Sequence, residues 1–201
     1  MAFTSPPEAA TLGVMHFRLS DWADDGVLVG RTEADRARSA VQAQLLAHRS
    51  GSDPVGIDAR DIKTMSFPFA DSFFTPLLSG WLAGYYDEHP IVVFGANEDV
   101  AETIDAALRL RSMGVISVSP ETEATLLGGE PALRDTIAVA AKLGKFSATR
   151  LGVELGVTPQ AANNRLKALV RMGALVRVPV VVPGGGREFE YHVSDVASIE
   201  G

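Results

Sequence analysis

Alternating and contiguous apolar positions predict the strands of the N-terminal part of the chain. Residues 14–19 alternate apolar and polar side chains, which is the period of a half-buried strand. Residues 27–29 are predicted to pair with it across a turn at residues 21–26. Short apolar runs rich in β-branched side chains predict three further, buried strands. These runs are residues 55–57, 91–94 and 115–118.

Helical patterns separate these strands. A capping sequence at Thr32 precedes an apolar stripe with helical spacing. The stripe consists of Ala37, Val41, Leu45 and Leu46. Residues 69–86 predict a long apolar helix that Pro76 interrupts, and Asn97 is expected to cap a third helix that Gly114 ends. The order ββαβαβαβ predicts an α/β fold with a mixed sheet covered by helices.

After residue 130 the pattern changes to three short helices. Residues 131–143 form the first of them, with a proline at its start. Ser147 is expected to cap a helix over residues 148–155. Thr158 and Pro159 open the third helix as a cap and a first-turn proline.

A predicted hairpin follows the third helix. The helix has an apolar stripe on one side, and Gly173 is the residue expected just after its end. The stripe consists of Ala162, Leu166, Leu169 and Val170. Residues 175–182 and 187–193 are predicted to be the two strands, joined by a Pro-Gly-Gly-Gly turn.

Charge is distributed unevenly along the chain, although the net charge is −7. Up to residue 130 there are nine Lys and Arg against 19 Asp and Glu, whereas residues 131–193 carry nine against four. An acidic surface repels nucleic acid and a basic surface attracts it. The sequence therefore predicts two units with different partners.

A proline, a glycine pair and three glutamates mark residues 119–130 as a predicted linker. This linker divides the chain into an N-terminal unit, residues 12–118, and a C-terminal unit, residues 131–195.

The composition of the 201 residues excludes several classes of protein. With 46% apolar and 21% charged residues, the chain has a globular rather than a disordered balance. No uncharged apolar run approaches the ~18 residues of a membrane span, and the start lacks a secretory pattern. The absence of cysteine excludes disulfides and thiolate sites, and the four histidines are scattered. We therefore expect a cytoplasmic protein without a membrane partner, metal or cofactor.

The C-terminal unit carries the spacing of a helix-turn-helix, because only Gly156 and Val157 join its second and third helices. Polar side chains recur at steps of three and four along the third helix, and Gln and Asn can bind adenine edges. Lys142 and Lys145 add positive charge nearby, and Arg187 is expected to reach the DNA backbone or minor groove. The candidate DNA-binding residues are Arg150, Thr158, Gln160, Asn163, Asn164, Arg165, Lys167, Arg171 and Arg187.

Residues 151–175 resemble bacterial winged-helix transcriptional regulators, whose pattern reads L-A-x-x-L-G-V-S across the turn between the two helices. Here the matching segment runs from Leu151 to Thr158, with Gly152 in place of the usual alanine. Asn163 and Asn164 stand where Ser-Arg or Ser-His are common in that family. The resemblance implies a winged helix-turn-helix domain that binds double-stranded DNA.

Residues 55–73 place a strand ending in Asp58 before the segment Ser-Phe-Pro-Phe-Ala-Asp, which opens a helix. This looks like the STAS fold of anti-anti-sigma factors, and more closely like a STAS-like family of unknown function. In STAS regulators a serine near this helix start is phosphorylated, so Ser66 and Ser72 are candidate phosphorylation sites. The structural alternative is that Ser66 is a helix cap and Asp71 a structural partner.

The residues together predict a transcriptional regulator that binds DNA as a homodimer, with the STAS-like unit mediating dimerisation or sensing a signal or regulatory protein partner. The alternative is an anti-anti-sigma-like interaction switch whose winged helix docks a protein. An enzyme is not expected, because the sequence shows neither clustered carboxylates nor a nucleophile beside a base.

Overall fold

Strands and helices alternate along the chain in the computed structural model, which describes residues 15–47, 55–86, 90–119, 124–181 and 187–193. The strands are β1 (Met15–Arg18), β2 (Val27–Leu28), β3 (Val55–Asp58), β4 (Thr64–Met65), β5 (Ile91–Phe94), β6 (Gly114–Val118), β7 (Ala124–Gly128), β8 (Phe146–Ser147), β9 (Leu175–Val181) and β10 (Arg187–Val193). The described α-helices are α1 (Arg31–Ala47), α2 (Phe67–Leu82), α3 (Glu98–Arg109), α4 (Pro131–Leu143), α5 (Ala148–Leu155) and α6 (Pro159–Arg171). This is a mixed α/β fold, as the sequence predicts.

The central sheet has the order β1-β3-β5-β6-β7. Its first four strands are parallel, and β7 runs antiparallel to β6. Each crossover moves to the next strand in the same direction, and crossovers of this kind are right-handed. The helices α1, α2 and α3 therefore lie on one face of the sheet, where α2 packs between the other two.

On the other face of the sheet, the C-terminal unit covers β5, β6 and β7. Along β5, Ile91 and Val93 contact the core beneath α1–α3, whereas Val92 and Phe94 belong to a second buried cluster. That cluster also contains Ile116, Val118, Leu126, Leu133, Ile137, Phe146, Leu151, Leu166, Leu169, Leu175 and Tyr191. Because both faces of β5 are buried, its sequence is a continuous apolar run.

The predicted linker contains a strand. Residues 124–128 form β7, whose Leu126 and Leu127 are buried on opposite faces of the sheet. Gly128 and Gly129, with φ of +74° and +66°, then turn the chain into α4. The turn-forming residues that predicted a linker mark the end of this strand, and tertiary pairing with β6 supplies its stability.

The predicted pairing of residues 27–29 with the first strand is wrong. β2 pairs in parallel with β4, and β1 pairs in parallel with β3. After β1 the chain enters a short 3-10 helix, Leu19–Trp22, which takes it out of the sheet. A hydrogen bond of 2.9 Å from the Ser66 amide to the Leu28 carbonyl extends the β2–β4 pairing.

The second helix is not interrupted at Pro76, because α2 continues through it to Leu82. A proline has no N–H to donate to the carbonyl four residues earlier, which here belongs to Ser72. Nη1 of Arg38 donates to that carbonyl at 3.0 Å. The side chain from α1 thus replaces the missing backbone donor.

One helix boundary and one residue of a predicted apolar stripe also differ from the prediction. The third helix ends at Arg109, and Gly114 is the first residue of β6 rather than the end of the helix. Ser112, with φ of +52°, lies in the turn between them. In α1, Leu46 is 43% exposed, whereas the rest of the predicted stripe is buried.

The C-terminal unit has the predicted three helices and hairpin. β9 and β10 are antiparallel, and β8 joins the far side of β10 to give a three-stranded sheet. The predicted turn at residues 183–186 and the last residue of the predicted strand before it, Val182, lie outside the described residues. No helix within the described ranges is long and apolar enough to cross a membrane.

Candidate nucleic-acid interface

Helices α5 and α6 are joined by residues 156–158, and the sequence specifies the geometry of this connection. Ser147 Oγ accepts a hydrogen bond from the Arg150 amide at 3.3 Å and caps α5. Gly156, with φ of +64°, adopts the left-handed conformation that ends this helix. Thr158 Oγ1 accepts from the Ala161 amide at 3.2 Å and caps α6. These three sequence predictions are confirmed.

The outer face of α6, which we define by Gln160, Asn164, Lys167 and Arg171, is exposed. Its opposite side, with Ala162, Leu166 and Leu169, is fully buried and fixes the helix against the second cluster. Gln160 Nε2 donates to Asn164 Oδ1 at 3.4 Å, so the two amides lie side by side. The outer face thus presents amides near the start of α6 and cations farther along.

Two predicted DNA-binding residues of α6 lie off this outer face. Asn163 is half-buried on its flank. Arg165 is also half-buried, and its Nη1 approaches Thr136 Oγ1 of α4 at 3.5 Å. The sequence pattern did not separate these positions, because residues 163 and 165 are polar like their neighbours. Successive residues of a helix are rotated by about 100° around its axis. The position of the buried stripe therefore fixes the direction of residues 163 and 165.

The remaining predicted residues lie at the starts of α5, α6 and β10. Arg150 is exposed in the first turn of α5, and Thr158 is exposed at the cap of α6. Arg187 begins β10, and its side chain lies outside the described part of the structure. The structure therefore brings Arg150 and Thr158 to the same two-helix element as the outer face of α6.

Ion pairs decide which cations of the C-terminal unit are available. Lys145 faces Glu190 at 3.9 Å, and Arg134 faces Asp105 at 3.4 Å. By contrast, Lys167 and Arg171 have no ion-pair partner among the described residues. Helix α6 itself contains no Asp or Glu. The outer face of α6 therefore carries uncompensated positive charge.

Arg177 is a cation of this region that the sequence analysis did not single out. Its guanidinium lies over the ring of Phe189, 4.3 Å from the ring centre. The register pairs Arg177 with Tyr191, so both lie on the same face of the hairpin, where Tyr191 is buried and Arg177 is exposed. Counting alternate positions forward from Leu175, which is buried, could have placed Arg177 on this face.

The two candidate phosphorylation sites are both half-buried, and they lie at the cap and in the second turn of α2. Ser66 Oγ accepts from the Phe69 amide at 3.3 Å and caps the helix. Asp71 accepts a hydrogen bond of 3.2 Å from Thr75 Oγ1. The structural interpretation of Ser66 and Asp71 is confirmed, and phosphorylation of Ser66 or Ser72 stays a prediction.

Asp58 and Arg60 form an ion pair at the carboxyl end of β3. Arg60 donates to Asp58 from Nε at 3.0 and 3.2 Å and from Nη2 at 2.6 Å. These hydrogen bonds lower the pKa of the Asp58 carboxyl below its usual range, although burial acts in the opposite direction. A carboxylate with a lowered pKa is a weak proton acceptor at neutral pH, and its contacts hold the Arg60 guanidinium at this end of the strand.

No family model, curated protein or solved structure matches the chain. The functional interpretation therefore depends on the residues and contacts described above.

Proposed function

We propose that the protein is a DNA-binding transcriptional regulator. The C-terminal unit is a winged helix-turn-helix domain in this proposal, with α6 in the major groove of double-stranded DNA. The hairpin β9–β10 then follows the backbone or minor groove. The N-terminal unit is a STAS-like domain that mediates dimerisation or senses a signal or partner.

The outer face of α6 is the observation that carries this proposal. In helix-turn-helix proteins the first residues of the second helix contact base edges, and later residues approach phosphates. Gln160 and Asn164 are exposed in the first two turns, and Lys167 and Arg171 are exposed beyond them. Amides at the base-reading end and cations along the phosphate path match this geometry.

Dimerisation would supply affinity that one such face lacks. A single helix with two unpaired cations neutralises few phosphates, so its affinity for DNA is modest. Two copies bound to adjacent half-sites multiply their affinities, because the second contact is intramolecular. We therefore propose that the regulator binds DNA as a homodimer.

Fluorescence anisotropy with a duplex pool of random sequence tests the proposal. The full chain should bind at low salt and weaken steeply as salt rises, because bound Lys and Arg release counterions. Lys167→Ala and Arg171→Ala should each weaken binding to every sequence. Each should also reduce the slope of log affinity against log salt by about 1.

The matched control removes a cation from the N-terminal unit. Arg36 lies on α1, and its side chain is 70% exposed. Arg36→Ala should leave duplex binding unchanged, because an acidic surface is not expected to contact DNA. Absence of duplex binding at low salt, or an equal loss of affinity with Arg36→Ala, would refute the proposed function.

A further inference from the structure

The base-reading end of α6 carries amides where many DNA-binding helices carry arginine. In the first two turns, the exposed side chains of the outer face are those of Gln160 and Asn164. The arginine of these turns, Arg165, is directed to Thr136 of α4. The cations of the outer face, Lys167 and Arg171, lie in later turns.

The contact between the two amides leaves a defined set of groups for a ligand. Gln160 Nε2 uses one N–H, and Asn164 Oδ1 uses one lone pair, in their hydrogen bond of 3.4 Å. The carbonyl oxygen of Gln160 and the amino group of Asn164 are not consumed by it. The pair therefore offers at least one acceptor and two donors on a single exposed surface.

This set matches adenine better than guanine. In the major groove adenine presents an acceptor, N7, beside a donor, the N6 amino group. Guanine presents two acceptors, N7 and O6, which suit Arg or Lys. An amide carries both a donor and an acceptor, so it can satisfy both groups of adenine but leaves its own oxygen unsatisfied against guanine.

The spacing of the two amides indicates how many base pairs they contact. Residues four apart on a helix are separated by a rise of about 6 Å, and stacked bases by about 3.4 Å. We infer that Gln160 and Asn164 make α6 selective for duplex DNA with adenines at neighbouring positions, an A·T-rich step of about two to three base pairs. This inference rests on the proposed function, since it assumes that α6 enters the major groove.

Selection of bound duplexes from a random pool, followed by sequencing, tests the inference with the full chain. The recovered duplexes should share an A·T-rich step, and replacing it with G·C pairs should lower affinity by about fivefold or more. Gln160→Ala and Asn164→Ala should abolish most of this discrimination while binding to the random pool changes little. Gln44→Ala, which removes an exposed amide from α1, should change neither.

A modified base tests the contact at the level of one atom. Replacing the selected adenines by 7-deazaadenine removes the N7 acceptor and keeps base pairing. The modified base should weaken binding of the unaltered chain. One of the two variants, Gln160→Ala or Asn164→Ala, lacks the amide that contacts N7, and that variant should bind the modified and unmodified duplexes equally well. A selected site built on G·C pairs, or amide substitutions that weaken specific and random binding equally, would overturn the inference while leaving DNA binding intact. Absence of any duplex binding would instead refute the proposed function.

Discussion

At the scale of single residues, Arg38 shows how α2 accommodates a proline in its interior. The Ser72 carbonyl, which Pro76 cannot serve, accepts its hydrogen bond from Nη1 of Arg38. Nη2 of the same guanidinium lies 3.0 Å from Asp35 on α1, which holds it in place. A buried carbonyl without a donor costs about 1–3 kcal/mol, and the Ser72 carbonyl is part-buried, so this contact is expected to matter for stability.

A double-mutant cycle measures that contact. Arg38→Ala should lower the free energy of unfolding in urea by about 1–3 kcal/mol, because the Ser72 carbonyl loses its donor. In a Pro76→Ala background the backbone N–H at position 76 can bond to Ser72, so Arg38→Ala should cost about 1 kcal/mol less. Arg36→Ala removes an exposed arginine from the same helix and should cost at most about 1 kcal/mol. Equal costs of Arg38→Ala with and without Pro76 would show that Arg38 is not the substitute donor.

At the scale of elements, the sequence best predicted those features that depend on residues close together in the chain, within one or two helical turns. The caps at Asn97, Ser147 and Thr158 were predictable, because each side chain bonds to an amide three residues later. The strand β5 was predictable because its burial on both faces leaves a continuous apolar run. In each case the relevant signal lies inside the element itself.

Elements whose identity depends on distant partners were not predictable in this way. β2 is only two residues long, and its partner β4 is separated from it by α1 and β3. β7 is stabilised by pairing with β6 and by the C-terminal unit, whereas its own residues adjoin turn-forming glycines. The outer face of α6 was predicted as a polar surface, but the position of Arg165 depends on Thr136 in another helix.

The turn after α6 belongs to the C-terminal unit and packs against α2 of the N-terminal unit. Gly173 has φ of +69°, and a Cβ built on it would lie 3.0 Å from Cζ2 and Cη2 of Trp81 in α2. Gly156, just after α5, has a similar φ of +64° with no atom within 4 Å of the same position. Both glycines follow a helix and have a positive φ, but an added side chain would meet Trp81 at Gly173 and nothing within 4 Å at Gly156.

Alanine substitutions at these glycines separate backbone strain from packing. Both changes place an L side chain at a positive φ, which costs about 1–2 kcal/mol. Gly173→Ala should cost more than Gly156→Ala in urea denaturation, because it must also displace Trp81. Only Gly173→Ala should change the native tryptophan emission. Identical unfolding free energies for the two variants would show that the turn after α6 does not pack against α2.

At the scale of the whole molecule, the C-terminal unit covers the second face of the sheet at β5, β6 and β7. Its removal would expose Val92 and Phe94, which are buried beneath it. Asp105 of α3 reinforces the junction by accepting a hydrogen bond of 2.8 Å from the Gly128 amide, and it faces Arg134 of α4. The helices that carry the proposed DNA-binding surface are thus continuous with the core of the N-terminal unit.

This shared core predicts that the chain unfolds in one transition. Circular dichroism reports the helices of both units, whereas the two tryptophans, Trp22 and Trp81, lie in the N-terminal unit. Both signals should have the same midpoint in urea. Leu126→Ala should lower the unfolding free energy by about 2–5 kcal/mol and shift both midpoints together. Leu46→Ala, at an exposed position of α1, should shift neither by much.

A second transition seen by circular dichroism alone would mean that the C-terminal unit unfolds by itself, and that the shared cluster does not join the two units.

A single transition has a consequence for regulation. If the protein is the proposed regulator, an effector that binds the N-terminal unit could not act by releasing the C-terminal unit, because release would expose the apolar face of β5 and β6. The effector would have to move α6 together with the sheet, by changing how the two copies of the proposed dimer are placed on their half-sites.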